Sequence, residues 1–255
     1  GILFSIEVIT KKLNKTFFLT NGIAIVIASA LLLFFDEKAL FTVALTTWHY
    51  HAIPYFILLG VLAGVNSVYL TKTVLFFKSK FSKLKTQFHK ILIGSAILSV
   101  GLLVLPQLYG DGYHAIKEIF ANSTPAITLT WFATLVGIIV LKPILTSATL
   151  AAGGDGGVFA PSLFIGAFLG LFVASILNTY FHSNLIPINF MIIGMAAVLS
   201  ASIQAPFTAL FLVCGMINDY TLFFPILMVS LIAKYTSKKI FPYTVYNYSL
   251  VNLKS

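Results

Sequence analysis

The sequence predicts an all-α integral membrane protein of broken and tilted helices, and three observations carry that prediction. Of 255 residues, 59% are hydrophobic and only 9% charged, with a mean hydropathy of +0.99. Soluble domains are about one quarter charged, so this composition belongs in a bilayer. Apolar segments long enough to cross a membrane alternate with shorter ones cut by Gly and Pro, whereas a full crossing takes about 20 residues. No polar/apolar alternation of the kind a β-barrel requires is present.

Residues 1–10 read as the tail of an apolar helix ending at Lys11 and Lys12, so a preceding part of the protein is expected. Residues 17–35 are long enough to span and close on Asp36, Glu37 and Lys38. Residues 53–77 form a second span, in which Gly60 and Gly64 make a small-xxx-small pattern that permits close helix packing. A lysine-rich loop at 78–90 follows. Residues 91–105 leave it and stop at Pro106, short for a crossing. Residues 107–126 are the most polar stretch and predict a short, non-spanning helix. Residues 127–150 are apolar but contain Lys142-Pro143, and a break at 151–157 precedes the apolar segment 158–180. After a turn at 182–187 come 189–203, 206–217 and 221–235, only 12 to 15 residues each, which predicts partial or strongly tilted helices. Short, Gly/Pro-broken segments at membrane depth are typical of transport proteins whose sites lie between half-helices.

All 16 basic residues are lysines, and most of them cluster at Lys11, Lys12 and Lys15, at Lys78 to Lys90, and at Lys234, Lys238 and Lys239. The net charge of +9 would also suit nucleic acid, but lysines that flank hydrophobic spans follow the positive-inside rule. Those loops are therefore expected to be cytoplasmic, the partner a lipid bilayer, and nucleic acid excluded. The lone cysteine, Cys214, rules out an internal disulfide.

The stretch richest in chemistry is Gly153-Gly154-Asp155-Gly156-Gly157-Val158-Phe159-Ala160-Pro161. Glycine lets a ligand approach main-chain N–H groups closely. A helix starting behind it, with Pro in its first turn, aims free amides and a positive dipole end at the turn, which suits an anion. Asp155 is either a turn residue or a charge that tunes anion entry. Glu7, among apolar residues, is either a functional ionisable group or paired with Lys11 and Lys12 one helical turn away. His49 and His51 have the spacing of a metal pair but no Cys or carboxylate neighbour, and the other histidines (His89, His114, His182) are scattered at loops and ends. No metal or cofactor site is expected. Neither a nucleophile elbow, a Walker loop nor a zincin motif occurs, so the chain does not read as an enzyme.

The order of these pieces resembles the second half of the membrane domain of the CLC family of chloride channels and proton-coupled chloride transporters. Gly157-Val158-Phe159-Ala160-Pro161 is similar to the family's G-x-F-x-P filter motif. Gly1-Ile2-Leu3-Phe4-Ser5-Ile6-Glu7-Val8 is similar to the segment after its gating-glutamate region. Gly194-Met195 through Ala205-Pro206 and Thr208 resembles its G-M…A-P-x-T region, and Tyr246 its tyrosine opening the last helix, with Tyr243 and Tyr248 competing for that role.

The resemblance implies one half of an inverted-repeat fold, a homodimer with one pore per subunit, contacts supplied by residues 189–235, and chloride or a similar small anion as cargo. It makes Val158, Phe159 and Tyr246 the anion ligands, Gly156, Gly157, Ala160 and Pro161 the filter loop, and Val8 the occupant of the inner proton-glutamate position. Val8 there leans toward uncoupled transport. The glutamate often found in the Pro206 helix is Gly215 here. Residues 1–255 would be a partial membrane domain, its N-terminal half (with the gating glutamate) missing and no soluble domain following, in a bacterial inner membrane. The alternative is a truncated membrane scaffold that does not transport.

Overall fold

The computed structural model describes residues 2–9, 15–35, 40–41, 43, 45–121 and 128–248. All regular structure among them is helical. A single turn, α1 (Ile2–Phe4), runs into a π-helical turn at Ser5–Ile9. Then come α2 (Lys15–Phe35), α3 (Ile53–Ser82), α4 (Gln87–Val104), α5 (Tyr113–Ala121), α6 (Leu129–Ala151), α7 (Phe159–Phe181), α8 (Pro187–Ile203), α9 (Pro206–Ile217) and α10 (Phe223–Ile240). Among the described residues, five helical stretches are long and apolar enough to cross a membrane, including Lys15–Phe34, Gln87–Val104 and Phe159–Phe181.

Local chemistry explains the boundaries. Thr86 caps α4 by accepting the His89 amide, and Thr128 caps α6 by accepting that of Trp131. Pro187 and Pro206 open α8 and α9, where an amide would be unpaired anyway. His182, Gln204 and Asn218 close α7, α8 and α9 in the left-handed conformation.

Several lengths differ from those expected. The lysine loop is only residues 83–86, because α3 continues through Lys78 and Lys80. The Thr86 cap starts the next helix at Gln87, so α4 has 18 residues and is long enough to span, not short. α8 reaches 17 residues, and α10 reaches 18 because it continues past Tyr235 to Ile240. Lys80 of α3 and Lys238 and Lys239 of α10 sit in the last turn, where cations complement the helix dipole and polar composition does not end the helix. Lys11, Lys12 and residues 36–38 lie outside the described residues.

The core is the α7/α8 pair. Both are apolar all round and buried on nearly every face, as a helix enclosed by others must be. α3 and α10 pack on α8, and α6 on α3 and α7. Two glycines of α7 set the α7/α8 separation. A Cβ at Gly170 would lie 1.9 Å from the Phe190 carbonyl oxygen, and one at Gly166 2.2 Å from that of Gly194. Only hydrogen fits there, so the backbones touch, as small residues allow in membrane helices. α2, in contrast, is exposed along its length.

Candidate functional site

The glycine turn is held at both ends. Gly154 N–H donates to Thr149 O at 2.9 Å, and Gly153 has φ +97°, a conformation that favours glycine. Gln87, at the start of α4, donates from Nε2 to Ala152 O at 2.7 Å. Beyond the turn, Val158 is the buried N-cap of α7, and Phe159 and Ala160 are its first residues. The first amides of a helix have no intrahelical acceptor. Pro161 has none to offer, and Ser162 N–H already bonds Val158 O. The amides of Val158, Phe159 and Ala160 are therefore left facing the turn with the positive end of a 23-residue helix behind them.

Further contacts fix that helix end. Ser162 Oγ donates to Ser202 Oγ of α8 at 3.1 Å, which lies 3.2 Å from Ser67 Oγ of α3, all three buried. This chain of hydroxyls ties three helices together one residue behind Pro161, and nothing in the motif announced it.

Tyr246 reaches the turn from the far end of the chain. Thr244 N–H bonds Asn247 Oδ1 at 2.7 Å and Asn247 N–H bonds Thr244 Oγ1, a reciprocal cap that starts a helical turn under Tyr246. Gln204 Nε2, at the end of α8, donates to Pro242 O and anchors the same segment. The Tyr246 hydroxyl lies 3.8 Å from where a Cβ of Gly157 would be. Burial pushes the phenol up, so it stays a donor at neutral pH. The two competing tyrosines are held elsewhere: Tyr243 and Tyr248 pack against each other and against Phe241.

Phe4, which sequence reasoning passed over, bridges the two parts. Its ring centre is 5.1 Å from that of Phe159 and 6.4 Å from that of Tyr246, edge-on to both. Val8, one turn on, is half-buried and packs against the same core. Glu7 points the other way. Its carboxylate accepts from Thr208 N–H at 2.8 Å, Thr208 Oγ1 at 2.6 Å and Phe207 N–H at 3.4 Å. It is the cap of α9, whose own N-cap position is Ala205, with no side-chain acceptor. The absence of Ser, Thr, Asp or Asn before Pro206 was the available signal. The proposed partners Lys11 and Lys12 lie outside the described residues, and the α9 cap accounts for Glu7 without them.

Asp155 is exposed within the turn, as are Gly156 and Gly157. The turn thus opens on a surface that the described residues leave uncovered. Lys142 is the other overlooked residue. Only 4% exposed, it donates from Nζ to Leu108 O at 2.9 Å and Gly110 O at 2.8 Å, and lies 4.7 Å from the Phe164 ring centre on α7. A buried cation is thereby satisfied by two carbonyls and an aromatic face, and it ties the 106–112 connector to α7.

The family described as voltage gated chloride channel matches residues 1–238. Among curated relatives, a voltage-gated ClC-type chloride channel, ClcB, of Salmonella typhimurium is 29% identical over 80% of this chain and 48% of its own length. An H(+)/Cl(-) exchange transporter, ClcA, of Vibrio campbellii is 35% identical over 69% of this chain and 38% of its own. The chain thus spans half or less of the length of these relatives. Among solved structures, a CLC-type fluoride/proton antiporter superposes with a TM-score of 0.72 at 20% identity over 95% of this chain and 58% of its own. A slow cyanobacterial Cl-/H+ antiporter gives 0.70 at 23% identity, over 85% and 51%. The all-helical architecture is that of these transporters.

Proposed function

The chain belongs to the voltage-gated chloride channel family, and from that premise we propose that it forms the second half of a membrane domain that carries chloride or a similar small anion. One observation carries this reading: the unpaired amides at the α7 N-terminus and the Tyr246 hydroxyl converge on the same glycine turn. Neutral dipoles hold an anion without trapping it, and conduction needs binding that is weak enough to release. Val158 and Phe159 supply main-chain donors, Tyr246 a side-chain donor, and Gly156, Gly157, Ala160 and Pro161 the shape of the turn. Asp155, exposed beside it, tunes entry. The uncovered turn supports a site completed by an N-terminal half of the same fold.

The lysine-rich ends face the cytoplasm of a bacterial inner membrane. Two such proteins form a homodimer, to which α8, α9 and α10 contribute; Phe207 and Phe211, exposed one turn apart on α9, are the support for this. Val8 in the inner proton position favours transport without proton coupling.

The test is chloride flux into liposomes that contain the full-length protein, N-terminal half included. Transport should be saturable, and Tyr246→Phe should weaken anion binding by about tenfold to a hundredfold, the value of one hydrogen bond to an ion. Absence of flux from folded protein would favour the non-transporting scaffold. Chloride-driven uphill proton movement would overturn the uncoupled reading.

A further inference from the structure

At the opposite end of α7, about 35 Å from the filter turn, a small cavity lies between the start of α3 and the start of α8. Trp48, His49, His51, Asn184 and Asn189 are among the residues that line it. It has room for one atom-sized guest and for no organic ligand.

The chemistry of the wall is one-sided. Asn189 is 2% exposed; its Nδ2 donates to Thr46 O at 3.2 Å, but its Oδ1 has no partner. A buried, unpaired acceptor is costly, and it calls for a donor or a cation. Two exposed imidazoles stand beside it, each with a lone pair when neutral. Helix starts nearby would suit an anion, but an orphan carbonyl oxygen repels one.

The two histidines flank the same wall. Their rings are stacked, with centres 5.6 Å apart and planes within 18° of parallel. Their in-plane lone pairs therefore lie in separate planes, and a shared ion about 2.1 Å from one nitrogen of each ring requires one imidazole to change rotamer, a turn that exposed side chains are free to make. Two nitrogens and one amide oxygen suit Zn²⁺, Ni²⁺ or Cu²⁺ and not the oxygen-seeking Mg²⁺ or Ca²⁺. Among the described residues no group of three or more His, Cys, Asp or Glu could hold a metal; here the third ligand is an amide oxygen.

We propose that His49, His51 and Asn189 Oδ1 form a divalent transition-metal site, accessible from the membrane face opposite the filter-turn entrance, with water completing the coordination. Trp48, on the same wall, reports it directly. Full-length protein in detergent is titrated with Ni²⁺, a quencher of indole fluorescence, and Zn²⁺ is used as competitor. The expected result is a saturable quench that disappears in Trp48→Phe and is reversed by Zn²⁺. His49→Ala and His51→Ala should each weaken binding at least tenfold, and Asn189→Asp, which adds a charge to the oxygen ligand, should tighten it about tenfold. Asn189→Leu should weaken it, with size-exclusion elution confirming the fold. No saturable quench means that the cavity holds water and overturns the site. Histidine-dependent quenching unchanged by Asn189→Asp equally overturns it, leaving only a surface histidine pair.

Discussion

Replacing Gly170 with alanine tests whether the α7/α8 contact holds the candidate filter in place. A Cβ there would lie 1.9 Å from Phe190 O, 2.5 Å from Phe190 C and 2.9 Å from Met191 N. All three are backbone atoms and cannot rotate away. Ordinary contact begins near 3.4 Å, so the helices must part by about 1.5 Å. A gap of 0.5–1 Å already forfeits about a quarter to a half of the dispersion well, so most of the local contact is lost. Overpacking of a tight core costs about 1–3 kcal/mol; with backbone on both sides the upper end applies. The apparent melting temperature of the full-length protein should fall by several degrees, and halide affinity should fall with it, since α7 carries the free amides at its first turn. Gly22→Ala is the control: nothing lies within 4 Å of a Cβ there, and alanine favours the helix. A Gly170→Ala protein that melts within about 1 °C of its parent and binds halide equally well would refute the reasoning.

Other residues give independent tests. Glu7→Gln keeps the shape of the α9 cap but removes its charge, and should cost about 1–2 kcal/mol of stability in thermal melts; an unchanged melting temperature would mean that the cap is dispensable. Lys142→Met keeps the stem but leaves the Leu108 and Gly110 carbonyls without their donor, an expected loss of about 1–3 kcal/mol. If Lys142 also contributes field at the filter, the variant will weaken Cl⁻, Br⁻ and NO₃⁻ binding by the same factor in calorimetry, whereas a distorted filter would alter their ratios. Asp155→Asn should raise anion flux at low ionic strength and lose that advantage near 0.15 M salt, where charges are screened within about 8 Å; no difference at low salt leaves Asp155 as a turn residue only.

Composition, segment lengths and the glycine stretch by themselves determined the membrane environment, the helical class and the position of the glycine turn before α7. Hydrophobic burial and glycine's backbone freedom are properties of local sequence, so they are legible without a structure. Helix ends were less so. α4 and α10 run longer than their apolar cores because a threonine cap and C-terminal lysines extend a helix without adding hydrophobicity. Which of three nearby tyrosines meets the turn was decided only by tertiary structure, through the Thr244–Asn247 cap and the Gln204–Pro242 bond. The same holds for Glu7, which caps a helix 200 residues away, and for Lys142, whose charge is satisfied by a connector that precedes it by more than 30 residues. Such contacts depend on how helices are brought together in space, and spacing along the chain carries no trace of that.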